Sequence, residues 1–171
     1  MSSLKQYDEA IANYHGSLTI KTVPLVSWEF NHILLDYITS SFLDINKIKT
    51  IALNRKWQKD DWDLSSILKE EVIIVTDYKL SIVFASSNLS KMNGYYEEDV
   101  LGKSPKMFHG KETCLQTSNE IREAVQQQIP FEKTVVNYKK NGETYNCKIK
   151  GFPIFDSKGE LCNFIAFEKA A

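Results

Sequence analysis

Six side chains in the second half of the chain, Lys106, His109, Arg122, Asn137, Cys147 and Glu168, are of types suited to holding a small polar molecule. Lys106 and Arg122 could clamp a phosphate or carboxylate through charge-assisted hydrogen bonds, or stand as solvated surface bases. The Asn137 carboxamide offers a donor and an acceptor to a planar ligand, or stabilises the turn after its strand. Glu168 follows an apolar run; buried there it must be protonated, paired or set against a polar ligand, whereas beyond a sheet edge it lies in water. Cys147 alternates with Tyr145 and Ile149 on an apolar face and reads as a small core residue. Cys114, near a helix start, is the better candidate for a reactive thiolate. His109 could touch a ligand or be a loop residue without a role. His15, His32 and His109 share no metal-ligand spacing, so no metal site is expected. There is no Ser-His-Asp order in context, no G-x-S-x-G, no phosphate-cradling glycine loop and no catalytic carboxylate pair, so no enzyme is expected.

The elements that must position these groups fall into two textures. Up to about Lys69 the pattern is helical. Trp28, Ile33, Leu34, Tyr37, Ile38 and Phe42 recur at helical spacing after Pro24 and a capping Ser27. Asp44 is expected to cap a second helix carrying Ile45, Ile48, Ile51, Ala52 and Trp57. Asp60 to Asp63 reads as a polar break before a short turn of helix at Leu64, Ile67 and Leu68. From Glu71 the texture is mixed: strands at 72–75 and 82–85, brief helices at 89–92 and 97–101, and a long helix over 113–128 with Leu115, Ile121, Ala124 and Val125 as its apolar positions. Pro130 stops that helix. Two strands then flank Asn141-Gly142, a strong hairpin turn signal, and a last strand follows Asp156 to Gly159.

Of 171 residues, 43% are hydrophobic and 12% aromatic, enough for a packed core. The net charge of −1 argues against a nucleic-acid footprint or a polybasic membrane patch. The longest apolar runs have strand length, and the N-terminus lacks the apolar stretch of a signal peptide. Three widely spaced cysteines without a C-x-x-C fit reduced thiols, so a cytoplasmic location is expected.

The motif order carries more than any single motif. Thr76-Asp77, Ile82 to Ser86, Asn93-Gly94-Tyr95, Gly102, Phe108-x-Gly110, Asn137-Tyr138, Gly142, Pro153, Asp156-x-Lys158-Gly159 and Phe164-Ile165 resemble the PAS domain family in register. The segment Gly102 to Gly110 is similar to the flavin-contacting G-x-N-C-R-F-L-Q-G of the light-oxygen-voltage (LOV) branch. The resemblance implies an α+β fold, a five-stranded antiparallel sheet with flanking helices, over residues 70–169, preceded by a helical extension over 1–69. It also implies a ligand cavity between the inner sheet face and the small helices. Pro105 stands where the photoactive cysteine belongs and has no nucleophile, so a cysteinyl adduct cannot form there. Of eight flavin-contacting positions, Arg122 and Asn137 keep the family residue and Lys106 keeps the charge. Ser104, Pro105, His109, Cys147 and Glu168 depart from it, so flavin is disfavoured.

These residues predict a non-catalytic sensory or regulatory module in signal transduction, acting through ligand-dependent or partner-dependent association. The alternatives are a flavin sensor without the adduct, or a ligand-free dimerisation module whose core Tyr145, Ile149, Phe152 and Phe164 fill. Beside the PAS core, 171 residues leave no room for a kinase, cyclase or DNA-binding effector, so output is expected through a homodimer or a separate effector protein. The outer sheet face, with Ile165, Phe167 and 72–75, needs cover that the N-terminal helices can supply, in cis or across a dimer.

Overall fold

The computed structural model describes residues 26–58 and 61–171; the predicted features at Met1 to Asp8, Pro24 and Asp60 lie outside them. Contacts divide the chain into one unit up to Tyr37 and a second from Ile38 to Ala171. In the first unit the described residues are helical, and His32 Nδ1 and Asp36 Oδ2, one turn apart at the surface, are separated by 2.9 Å.

Helix α1 spans Val26–Arg55 and α2 spans Leu64–Glu70. Strands β1 (Val72–Asp77) and β2 (Ile82–Ala85) follow, then α3 (Leu89–Asn93), α4 (Glu97–Val100) and a 3-10 turn, Pro105–Phe108. Helix α5 (Leu115–Gln126) leads into β3 (Phe131–Tyr138), β4 (Thr144–Phe155) and β5 (Leu161–Ala170). All neighbouring strands pair antiparallel in the order β2-β1-β5-β4-β3. This is the expected α+β architecture: a five-stranded antiparallel sheet with flanking helices after an N-terminal helix.

Local chemistry sets the boundaries. Asp63 caps α2 by accepting from the Ser66 backbone N–H at 3.2 Å. Gly94, at φ 81°, closes α3 in the left-handed region, where a Cβ would be strained. Period-two alternation then divides the sheet into two faces. Register places Glu168 opposite Val72 and Ile149, Ala166 opposite Ile74 and Gly151, and Phe164 opposite Thr76, all on the inner face.

The outer face carries Ile73, Val75, Ile154, Ile165 and Phe167, buried against Ile48, Leu64 and Leu68 of α1 and α2. The cover predicted for this face is therefore supplied in cis by the helical residues from Ile45 onward. Trp57 and Trp62 pack at its rim, edge to face, with ring centroids 6.4 Å apart. Trp57 Nε1 donates to Asn163 Oδ1 at 2.9 Å, and Asn163 Nδ2 donates to the Thr76 carbonyl at 2.8 Å. On the inner face Val72, Ile74, Ile82 and Ala85 pack against Leu89, Val100 and Phe108 of the small helices.

Four expectations are corrected. Asp44 caps no helix: α1 runs through it, and the buried carboxylate instead accepts from both the backbone N–H and the hydroxyl of Ser87, each at 2.8 Å. Burial, opposed by those two bonds, raises its pKa. The segment around Trp62 is not simply a polar break, because that indole is half-buried against Phe152 and Phe167. Phe152 lies with the outer cluster rather than filling an inner pocket. Leu115, taken for an apolar helix position, is 80% exposed in the first turn of α5.

Candidate functional site

Between the inner sheet face, the 3-10 turn and α5 lies a cavity of about 250 Å³. Ser104 starts the turn by accepting from the Lys106 backbone N–H at 3.4 Å, and Pro105 takes its first position, where no N–H is needed. Phe108 is thereby buried and Lys106 and His109 are carried to the cavity. Helix α5 turns Ser118, Ile121, Arg122, Val125 and Gln126 toward it, one helical face at three- and four-residue spacing. Phe131 forms another part of the wall. Its ring lies across Gly151, where a Cβ would sit only 2.4 Å from ring carbons, so this close approach requires glycine.

Of the predicted site residues, Lys106, His109, Arg122, Asn137 and Glu168 line this one cavity. Lys106 and Arg122 are exposed at its edge, while Asn137 and Glu168 are buried. Cys147 lies behind the wall, fully buried, and donates from Sγ to Glu168 Oε2 at 3.6 Å. Burial, reinforced by the adjacent Glu168 charge, pushes the Cys147 thiol up. Glu168 does not lie in water: burial raises it from 4.5 to about 7, with the Cys147 hydrogen bond opposing. Burial, aided by Lys106, lowers His109. Cys114 does not line the cavity and is exposed at the start of α5, where hydrogen bonds from Thr117 lower its pKa.

The walls are mainly apolar, yet two buried polar atoms on them, Thr76 Oγ1 and Asn137 Oδ1, have no hydrogen-bond partner among the described residues. Buried polar atoms are nearly always satisfied, and each orphan costs about 1–3 kcal/mol. Two on the wall of one cavity point to a polar partner within it. The sequence reading missed Thr76, Ser118 and Gln126 as lining residues. Parity with Ile74 would have found the first, and the helical face shared with Arg122 the other two.

The isoalloxazine edge of a flavin presents an N–H between two carbonyls and so needs donors on either side. The residues here fit it poorly: Asn137 leaves its acceptor free, Cys147 is spent on Glu168, and Glu168 donates only when protonated. No nucleophile stands at Pro105.

The profile of the PAS domain family matches residues 70–169. Protein TWIN LOV 1 of Arabidopsis thaliana is 35% identical over 88 residues, covering 51% of this chain and 22% of that protein. Phototropin-2 of Oryza sativa subsp. japonica is 32% identical over 111 residues, covering 62% and 12%. The chain thus spans less than a quarter of the length of these curated relatives. The dark structure of the blue-light photoreceptor Aureochrome1 LOV superposes with a TM-score of 0.59 at 24% identity, covering 67% of this chain and 86% of that one. Fold, motif order and profile agree, and the chain belongs to the PAS domain family, near its light-oxygen-voltage branch.

Proposed function

We propose that the chain is a non-catalytic sensory module in signal transduction, with the inner-face cavity as its receptor site and the cap helices as its output surface. The observation that carries this reading is the pair of orphaned polar atoms, Thr76 Oγ1 and Asn137 Oδ1, on the wall of a largely apolar cavity beside a buried carboxyl. A small molecule satisfying those atoms binds one arrangement of sheet and helices better than another and shifts the equilibrium between them. The helical residues from Ile45 to Glu70 that cover the sheet then act as cap and transmitter, and output passes to a second copy of the chain or to a separate effector.

An exposed groove supports the output role. It runs between α1 and the β2–α4 region, with Leu43, Tyr96 and Leu101 at its surface. No helix among the described residues is long and apolar enough to cross a membrane, and the three cysteines are free thiols. Both observations accord with work in the cytoplasm. Lys106 and Arg122 at the cavity edge suit an anionic tail on the ligand.

Native mass spectrometry of freshly purified chain, followed by denaturing spectra, tests the reading. A mass excess that disappears on denaturation is expected. If the native mass is that of the bare chain and no small molecule raises the melting temperature, the ligand-dependent reading falls in favour of a ligand-free interaction module.

A further inference from the structure

The inner end of the cavity is built to accept hydrogen bonds. Asn137, Cys147 and Glu168 cross β3, β4 and β5 on a diagonal, fixed by the pairs Asn137–Tyr145, Val135–Cys147 and Ile149–Glu168. The Asn137 side chain is buried, and its Oδ1 has no hydrogen-bond partner among the described residues. The Cys147 thiol donates to Glu168, whose carboxyl has no other hydrogen bond among the described residues. Asn137 Oδ1 therefore offers an acceptor to the cavity, and Glu168 offers its two oxygens once ionised, the form that paired N–H donors favour. Thr76 stands four residues along the sheet from the level of Glu168, about 13 Å away, and its hydroxyl can serve either role.

A ligand complementary to this end must bring N–H donors. A carboxylate pairs best with two parallel donors, the arrangement that gives bidentate hydrogen bonds their strength and direction. A planar ring with an N–H beside an exocyclic amino group presents that pair and leaves one further amino hydrogen for a neighbouring acceptor. Phe131, Ile149, Ile121 and Val125 supply apolar surface for such a ring. The flavin edge, with acceptors on both sides of its single N–H, places carbonyl oxygens against these acceptors instead.

We propose that the cavity selects a planar 2-amino nitrogen heterocycle of the guanine or pterin class, its ring N–H and amino group paired with Glu168 and its second amino hydrogen given to Asn137 Oδ1. This rests on the reading of the cavity as a receptor site and specifies what that site recognises. Glu168 is the specificity-determining residue, and Lys106 and Arg122 meet whatever anionic group the ring carries.

Two probes of nearly equal size separate this from the alternatives: pterin, with the 2-amino group, and lumazine, with a carbonyl in its place. Calorimetric titration of the full chain should show pterin binding at least ten-fold more tightly than lumazine. Glu168→Gln, close in shape but with a donor in place of one oxygen, should remove or reverse that preference. The wild-type comparison stands even if the variant folds poorly. Lumazine or flavin mononucleotide binding as tightly as pterin, or an unchanged preference in the variant, overturns the proposal while leaving a ligand-binding module intact. Failure of all three compounds to bind, with a bare native mass, sinks the proposal and the receptor reading together.

Discussion

Glu168 governs how the fold responds to pH. Only 4% exposed, it titrates near 7 in the folded chain against an ordinary 4.5. Between those values the folded chain holds a proton that the unfolded chain has released. Its contribution to stability is therefore full below 4.5 and lost as pH rises through 7, roughly 3 kcal/mol across the window. His109 opposes part of this, since a histidine held below its usual value in the fold gives stability that rises with pH; the other groups facing Glu168 do not. Cys147 and Tyr145 are both pushed upward, chiefly by burial, and stay neutral, while Lys106 and Arg122 are solvated at the cavity edge. His109, on the 3-10 side, is held below its usual value by burial. Urea unfolding at pH 5 and pH 8 should give the lower midpoint at pH 8, and Glu168→Gln should flatten the difference. A flat wild-type profile would mean that the carboxyl is hydrated.

At the scale of elements, α1 is fastened to the sheet side by Asp44, which ties it to the Ser87 turn between β2 and α3. Asp44→Ala removes two part-buried charge-assisted bonds from Ser87, so a loss of about 1.5–3 kcal/mol is expected in chemical denaturation. A loss below about 0.5 kcal/mol would show that water replaces the carboxylate. This contact also marks where the sequence ceased to be legible. A capping Asp and an Asp that caps a distant turn have the same local neighbours, and only the fold brings residue 87 to residue 44. Elements set by local rules were readable: the αL glycine after α3, the Asn-Gly hairpin and the alternation of β4 all have causes within a few residues. The alternation also placed Cys147 inward and Asn146 outward, as found. Glu168 was left open because nothing local told whether β5 ended before it; pairing with β1 and β4 carries that strand to Ala170.

For the molecule as a whole, the family profile begins at residue 70, yet the outer sheet face is finished by α1 and α2. Each large apolar side chain uncovered there forfeits about 1.5–3 kcal/mol. A chain beginning at Glu70 should therefore aggregate or melt far below the full chain in a thermal scan. Equal melting temperatures would show that the cap is dispensable. The Trp57 indole is separated from the cavity wall by two hydrogen bonds, through Asn163 to Thr76, and stands at 89° to its neighbour Trp62. The chain thereby carries its own optical reporter. Indole emission and the near-ultraviolet circular dichroism of the crossed pair register the seating of the cap, so a signal passing from cavity to helices can be followed in the unlabelled protein.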